Sequence, residues 1–260
     1  MLKDLNSNFS LVLSGGGALG IAHLGVLSDL EKLGLSPKEV IGTSMGGIIA
    51  ACIAIGMSEE KIYEQVKNFS NIFSWVKFSM SGNAFVLNHK IEAIFKDIFN
   101  DRKMSDVDIP LKIIATNLHS GKKRVFSSDD DILITDAILS TMAIPGIFEE
   151  HIVEGKTYGD GFLCENLGIL EATYDSILAV DVMGQYSFEQ TMPDNFFKTT
   201  NMLEMFEKSM RLLIYNQTLT NLKNSSKNIK LIEPITKEYK TFHFHKYQAI
   251  RDLGLGLLND

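Results

Sequence analysis

The stretch Val40–Ser58 reads VIGTSMGGIIAACIAIGMS, 19 residues without a charge. By count alone it is nearly long enough to cross a bilayer. Its glycines argue otherwise. Gly42, Gly46, Gly47 and Gly56 interrupt the run, and Thr43-Ser44 stands near its start. The reading that fits is a buried strand over Val40–Thr43, a tight turn at Ser44 and a buried helix over Met45–Ile55. The same pattern occurs just upstream. Ser10–Leu13 is a short apolar strand, and Leu19, Ala22, Val26, Leu30 and Leu33 give Ala18–Leu33 a helical spacing that stops at Gly34. Strand, helix, strand, helix in close succession predicts a parallel sheet with crossover helices.

Downstream, the spacing predicts helices over Ser58–Phe69, with Ser58 as N-cap, and over Asn88–Phe99. Strands follow at Leu111–Thr116 and Lys122–Ser127, joined by a turn at Ser120-Gly121, and Ile152–Val153 and Thr157–Tyr158 flank another turn. Asp129–Asp131 are expected at the positive end of a helix running to about Met142. A strand at Ile177–Asp181, a long helix over Asn201–Leu222, a strand at Ile229–Ile232 and a final helix over Phe244–Leu257 complete the pattern.

The 260 residues, 45% hydrophobic and 22% charged, suit a single globular domain with a sizeable core. A net charge of −7 argues against a nucleic-acid partner. Cys52 and Cys164 form neither a disulfide framework nor a CxxC pair and read as small buried residues. The opening MLKDLNSNFS lacks the apolar core of a secretory signal. A cytoplasmic location is expected, compatible with transient contact at a membrane surface. No Asp, Glu or His cluster has metal-ligand spacing, so neither metal nor cofactor is expected.

Gly15, Gly17 and Gly20, within LVLSGGGALG (Leu11–Gly20), satisfy the G-x-G-x-x-G pattern of dinucleotide-binding folds. Those folds also need an acidic residue at the end of the second strand, about 20 positions on. Glu39 is at that distance, but it precedes Val40–Thr43 rather than coming after it. The far end of that strand carries Gly42-Thr43-Ser44-Met45-Gly46 instead, a G-x-S-x-G between strand and helix. A serine there sits on a sharp, strained turn that leaves no room for flanking side chains. The helix that starts at Met45 aims N–H groups at any oxygen near Ser44.

An α/β-hydrolase places such an elbow after several strands, with an acid and then a histidine later in the chain. Only one strand-helix-strand unit precedes Ser44. Among His23, His89, His119, His151, His243 and His245, the pair His243 and His245 comes late enough for that role. Two adjacent strand-to-helix turns would instead set the Gly15–Gly17 loop beside Ser44. Bare backbone there could donate to the oxyanion of a serine ester reaction.

Four ordered motifs together make the chain resemble the patatin-like phospholipases. They are Gly15–Gly20 (GGGALG) followed by IAHLGVL, Gly42–Gly46 (GTSMG), Ser140–Phe148 (STMAIPGIF) and Tyr158–Gly161 (YGDG), with Ser120–Ser127 (SGKKRVFS) fitting the family's hairpin. Order and spacing agree over about residues 8–182, and the part from about 183 to 260 is similar only loosely.

The resemblance implies a three-layer α/β fold, with a central, mostly parallel sheet flanked by helices. It implies a lipid acyl hydrolase working through a Ser–Asp dyad without histidine. Ser44 would be the nucleophile and Asp160, followed by Gly161, the base. Gly15, Gly16, Gly17 and Gly20 would form the oxyanion loop, and Gly42 and Gly46 the elbow. The substrate would be a lipid or acyl ester, with no metal or cofactor. From the residues alone, Asp160 lies on a tight turn after Thr157–Tyr158.

Three positions depart from the family. Leu19 stands where Arg or Lys is usual, Phe162 where a small residue follows Asp-Gly, and Gly168 where proline is common. Two other functions stay open: a Ser-Asp-His esterase or thioesterase using His243 or His245, and a lipid-binding or regulatory protein without turnover. Residues 70–87 carry Phe73, Trp75, Phe78 and Phe85 among small polar residues, and read equally as a flap over an acyl cleft or a packed connection. Phe196–Tyr215 reads as a core stripe, and Lys122-Lys123-Arg124 as solvated charges on a hairpin.

Overall fold

A computed structural model describes residues 8–73, 84–145, 147–188 and 199–258. Eight strands form one sheet: β1 Ser10–Leu13, β2 Glu39–Thr43, β3 Leu111–Asn117, β4 Lys123–Ser127, β5 His151–Val153, β6 Lys156–Asp160, β7 Ser176–Val180 and β8 Asn228–Ile232. Hydrogen-bonded neighbours run β5-β6-β3-β2-β1-β7-β8, and β4 also pairs with β3. β8, β7, β1, β2 and β3 are mutually parallel, whereas β4, β5 and β6 pair antiparallel.

The registers around β3 decide which strand ends meet. Ile114 pairs with Thr43 and Val125, while Ala115 pairs with Asp160 and Arg124. A residue has one neighbour on each side, so β4 occupies one edge of β3. β2 and β6 share the other edge and meet there end to end.

The inner parallel strands β7, β1, β2 and β3 are buried on both faces, which explains their apolar runs, whereas β8 at the edge is half-exposed. Leu11, Leu13, Val40, Ile113 and Val180 join one core, under α1 (Ala22–Lys32), α2 (Met45–Ala54), α3 (Glu59–Phe73), α4 (Ala84–Phe99) and α5 (Ile134–Met142). Val12, Ile41, Ile114, Ile177 and Ala179 face the other way. They pack on Leu167, Ile169 and Ala172 and on Leu222 of α6 (Thr199–Asn224). The fold is thus a mostly parallel sheet flanked by helices. Every residue of β2 and α2 is buried, as the strand-turn-helix reading of Val40–Ser58 requires. Among the described residues no helix is long and apolar enough to cross a membrane.

Several expected elements differ. The helix expected from Ala18 opens as a 3-10 turn over Gly17–Ile21, because Gly17 has a positive φ of 55° and the Leu19 N–H bonds back to Gly16 O. Asp129–Asp131 do not lie at a helix start: α5 begins at Ile134. Asp130 instead accepts from the Ser127 N–H and pairs with Arg124, and Asp131 pairs with Lys103. The last helix, α7, covers only Tyr247–Asp252, and the turns beyond it press Gly254 against the carbonyl of Ala22. Lys123 and Arg124 are not merely solvated. Lys123 pairs with Glu165 and Glu171, and Arg124 lies over the Phe126 ring. Of residues 70–87, the ends belong to α3 and α4. Residues 74–83, with Trp75, Phe78 and most of the suggested flap, lie outside the described residues. So does the start of the Phe196–Tyr215 stripe, which farther on buries Ile214 and exposes Leu213.

Glu39, at the distance of a ribose-binding carboxylate, does structural work at the start of β2, the end away from Ser44. It is buried and accepts Ser10 Oγ at 2.6 Å, Thr173 N at 2.8 Å and Thr173 Oγ1 at 2.7 Å, and it pairs with Lys112 at 2.7 Å. Burial alone would raise its pKa, but Lys112 and these donors hold it below the usual value. Removing the carboxylate strands three donors and takes the counter-charge from Lys112, which keeps Glu171 O and Thr173 Oγ1. Glu39→Ala is therefore expected to lower the unfolding free energy by about 3 kcal/mol, read from urea denaturation.

Candidate active site

The end-to-end meeting of β2 and β6 brings Ser44 and Asp160 together. Thr43 closes β2 opposite Ile114, and Ser44 turns away into α2. Asp160 closes β6 opposite Ala115, one position farther along the same edge. Glycines make the junction possible. A Cβ on Gly161 would stand 2.2 Å from Ile114 O and 2.7 Å from Thr43 Cγ2. One on Gly42 would meet Gly46 O at 2.3 Å, and one on Gly46 would meet Leu13 O at 2.3 Å. The elbow therefore closes only because both positions lack side chains.

Ser44 adopts φ 53° and ψ −124°, a left-handed conformation that costs a non-glycine residue about 1–3 kcal/mol. Its N–H is held by Thr141 Oγ1 at 2.8 Å, and Thr141 in turn donates to Ile114 O. That chain fixes the elbow to β3 and directs the Ser44 N–H into the protein. The side chain stands at the N-terminus of α2, whose first-turn N–H groups have no intrahelical acceptor. Thr141 lies within the STMAIPGIF motif, but nothing in the sequence gives it this partner.

Asp160 is fully buried. Its Oδ1 accepts the Phe162 N–H at 3.0 Å, and among the described residues its Oδ2 has no hydrogen-bond partner. Burial pushes the carboxyl from 3.8 up to about 7, against the smaller downward pull of the Phe162 N–H and the Ser44 hydroxyl. Phe162, the larger residue after Asp-Gly, packs half-buried against the core while its backbone serves the carboxylate. A Cβ at Gly168 would lie 2.3 Å from Ile114 Cδ1, so a proline there would require the tip of Ile114 to move.

The glycine loop lies against this pair. A Cβ on Gly15 would sit 2.6 Å from Asn166 Oδ1 and 3.1 Å from Ser44 Cβ, and one on Gly20 would be 2.5 Å from Met45 Cγ. Gly16 rests on Val182, and Gly17 on Thr241. Among the described residues neither Gly16 nor Gly17 donates its N–H to a protein acceptor, whereas the Gly15 N–H bonds Asn166 O and the Ala18 N–H bonds Thr241 O. Leu19 is buried and contributes only apolar packing.

Sequence reasoning missed two supports of the loop, Asn166 and His23. His23 bonds Ser14 O through Nε2 at 2.8 Å, and burial drives its pKa down to about 4, so it is a neutral donor under the loop. His243 and His245 stack edge-on at 5.4 Å, and His243 Nδ1 accepts the Lys240 N–H. Cys52 is buried and its thiol is pushed up to about 12, while Cys164 reaches Gly121 O.

A sequence model of patatin-like phospholipases matches residues 11–173. The chain belongs to that family. This patatin-like chain is 24% identical to the lysophospholipase NTE1 of Kluyveromyces lactis, over 96% of the chain but 19% of the relative. It is 29% identical to an uncharacterised NTE family protein of Mycobacterium bovis, over 67% of the chain and 49% of the relative. It therefore spans about half or less of these curated relatives. The crystal structure of VipD from Legionella pneumophila shares the fold at a TM-score of 0.53 and 16% identity, covering 98% of this chain and 67% of that one.

A carboxyl whose pKa is raised on folding stabilises the protein fully below its unfolded value. That contribution is lost as pH climbs through the folded value. For Asp160 the window runs from about 4 to about 7. Asp160→Asn should thus melt several degrees above the wild type at pH 8 in thermal scans, with the gap narrowing toward pH 4.

Proposed function

We propose that this chain is a serine lipid acyl hydrolase of the phospholipase A or lysophospholipase kind, with Ser44 as nucleophile and Asp160 as base. One observation carries the reading: a sequestered carboxyl, unpartnered at Oδ2 among the described residues and tuned to about 7, beside a serine held in a strained turn. A carboxylate at its ordinary pKa is too weak a base for a serine hydroxyl, and one raised toward neutrality is better matched.

Asp160 takes the Ser44 proton as Oγ attacks the ester carbonyl. The oxyanion accepts from the Gly16 and Gly17 N–H groups, which have no competing acceptor among the described residues. Collapse forms the acyl-enzyme, and Asp160 returns the proton to the departing alcohol. Asp160 then takes a proton from water as it attacks the acyl carbonyl, and the fatty acid leaves with Ser44 restored. No step calls for a metal or cofactor. The lysophospholipase relatives favour a lipid ester as substrate, met in the cytoplasm by transient contact with a membrane surface.

Ser44→Ala and Asp160→Asn are each expected to remove nearly all hydrolysis of a lysophospholipid, and a fluorophosphonate probe should label the wild type but not Ser44→Ala. Full activity in either variant overturns the dyad. Loss of activity on replacing both His243 and His245 would favour a conventional triad, and an unlabelled wild type a binding protein. Because the base must be ionised, kcat/KM should rise with pH and level off above about 7, as read from initial rates.

A further inference from the structure

The glycine loop is held from outside the motif-bearing region. The Ala18 N–H donates to Thr241 O at 2.8 Å, and Gly17 lies so close that a Cβ there would stand 2.5 Å from the same oxygen. Thr241 is itself pinned. Its N–H and its hydroxyl both donate to Glu207 Oε1, at 3.1 and 3.0 Å. Arg211, one turn farther along α6, donates to that same oxygen at 2.6 Å. The guanidinium, 5% exposed, also donates to Tyr239 O at 2.9 Å and to Ser187 O. One carboxylate oxygen thus gathers three donors, and the cation behind it staples α6 to the segments on either side. Burial would raise the Glu207 pKa, but Arg211 and Thr241 outweigh it and keep the group charged.

The geometry points to Glu207 as a positioning residue for the oxyanion loop, acting through Thr241 and anchored by Arg211. The inference rests on the proposed role of the Gly16 and Gly17 N–H groups. Its logic is mechanical. A 3-10 turn that opens on a left-handed glycine can relax, and Leu19 gives it no polar hold. With Thr241 fixed, its carbonyl holds the Ala18 N–H and so aims the two preceding N–H groups at the space beside Ser44. Without Glu207 the Thr241 segment loses both its side-chain and backbone tethers, and donors that must be aligned before reaction drift.

The test uses the full chain, a p-nitrophenyl acyl ester and amide hydrogen exchange. Glu207→Ala should lower kcat by between about 10-fold and 100-fold with KM nearly unchanged, because a misplacement on the order of 1 Å costs that much. Glu207→Gln should stay close to wild type, since its amide oxygen still accepts both Thr241 donors. Exchange should speed up in the peptide spanning Gly15–Leu24 of Glu207→Ala and stay unchanged in β7. A wild-type kcat in Glu207→Ala overturns the inference. So does an equal loss in both variants, or faster exchange throughout the sheet, either of which assigns Glu207 to general stability. If Glu207→Ala does not fold, Thr241→Val, which removes the hydroxyl contact alone, should still give a several-fold kcat loss and the same local exchange, and wild-type behaviour there overturns the inference. If the wild type hydrolyses no ester while exchange still responds, the hydrolase reading fails and the brace stands.

Discussion

The site depends on one sharing of hydrogen bonds: the free edge of β3 serves β2 as far as Ile114 and β6 from Ala115 onward. A parallel strand rising to its end and an antiparallel strand descending to its end meet at consecutive positions of β3, and Ser44, the first residue beyond β2, and Asp160, the last of β6, stand at that junction. No long loop has to be ordered to bring them together. The cost is crowding, and the bare Cα atoms of Gly42, Gly46 and Gly161 relieve it where backbone meets backbone.

Two unfavourable terms are stored at that junction. Ser44 is held in a conformation that unfolded chains avoid, and Asp160 is held without solvent. Neither would persist if its surroundings could yield. Thr141 restrains the serine through its backbone, and the Phe162 N–H partly satisfies the carboxylate, while the sheet and α2 supply the compensating burial. His23, Asn166 and the Thr241 segment do the same for the glycine loop from below, beside and above. The far end of the sheet shows the contrast. Glu39 is also a buried charge, but it is satisfied by half-buried Lys112 and three further donors, and nothing there is left for chemistry.

The strand-turn-helix reading of Val40–Ser58, the strand boundaries and the approach of loop to serine were legible because they follow from periodicity and from the places where only glycine fits. What the sequence hid has a common cause: it depends on partners far away in the chain. Asp129–Asp131 looked like helix-start residues until Arg124 and Lys103 claimed two of them. Thr141, Asn166, His23 and Glu207 are ordinary by type, and become informative only once folding sets them against Ser44, Gly15, Ser14 and Thr241. The end-to-end placement of β2 and β6 on one edge of β3 was likewise invisible, since local pattern fixes strands and not which edge each one occupies.

The β5–β6 hairpin carries the aspartate on a different kind of support from the serine. Ser44 grows out of the buried interior of the parallel sheet, whereas Asp160 closes a two-strand arm at its edge, paired with Ala115, Thr116 and Asn117 of β3 and tied further by the Asp160 N–H to Ala143 O and the Leu118 N–H to Thr157 O. A limited opening of that arm breaks far fewer contacts than loss of the sheet does. Serine and aspartate are therefore carried by different supports, and an opening confined to that edge would separate them while the parallel strands stay paired.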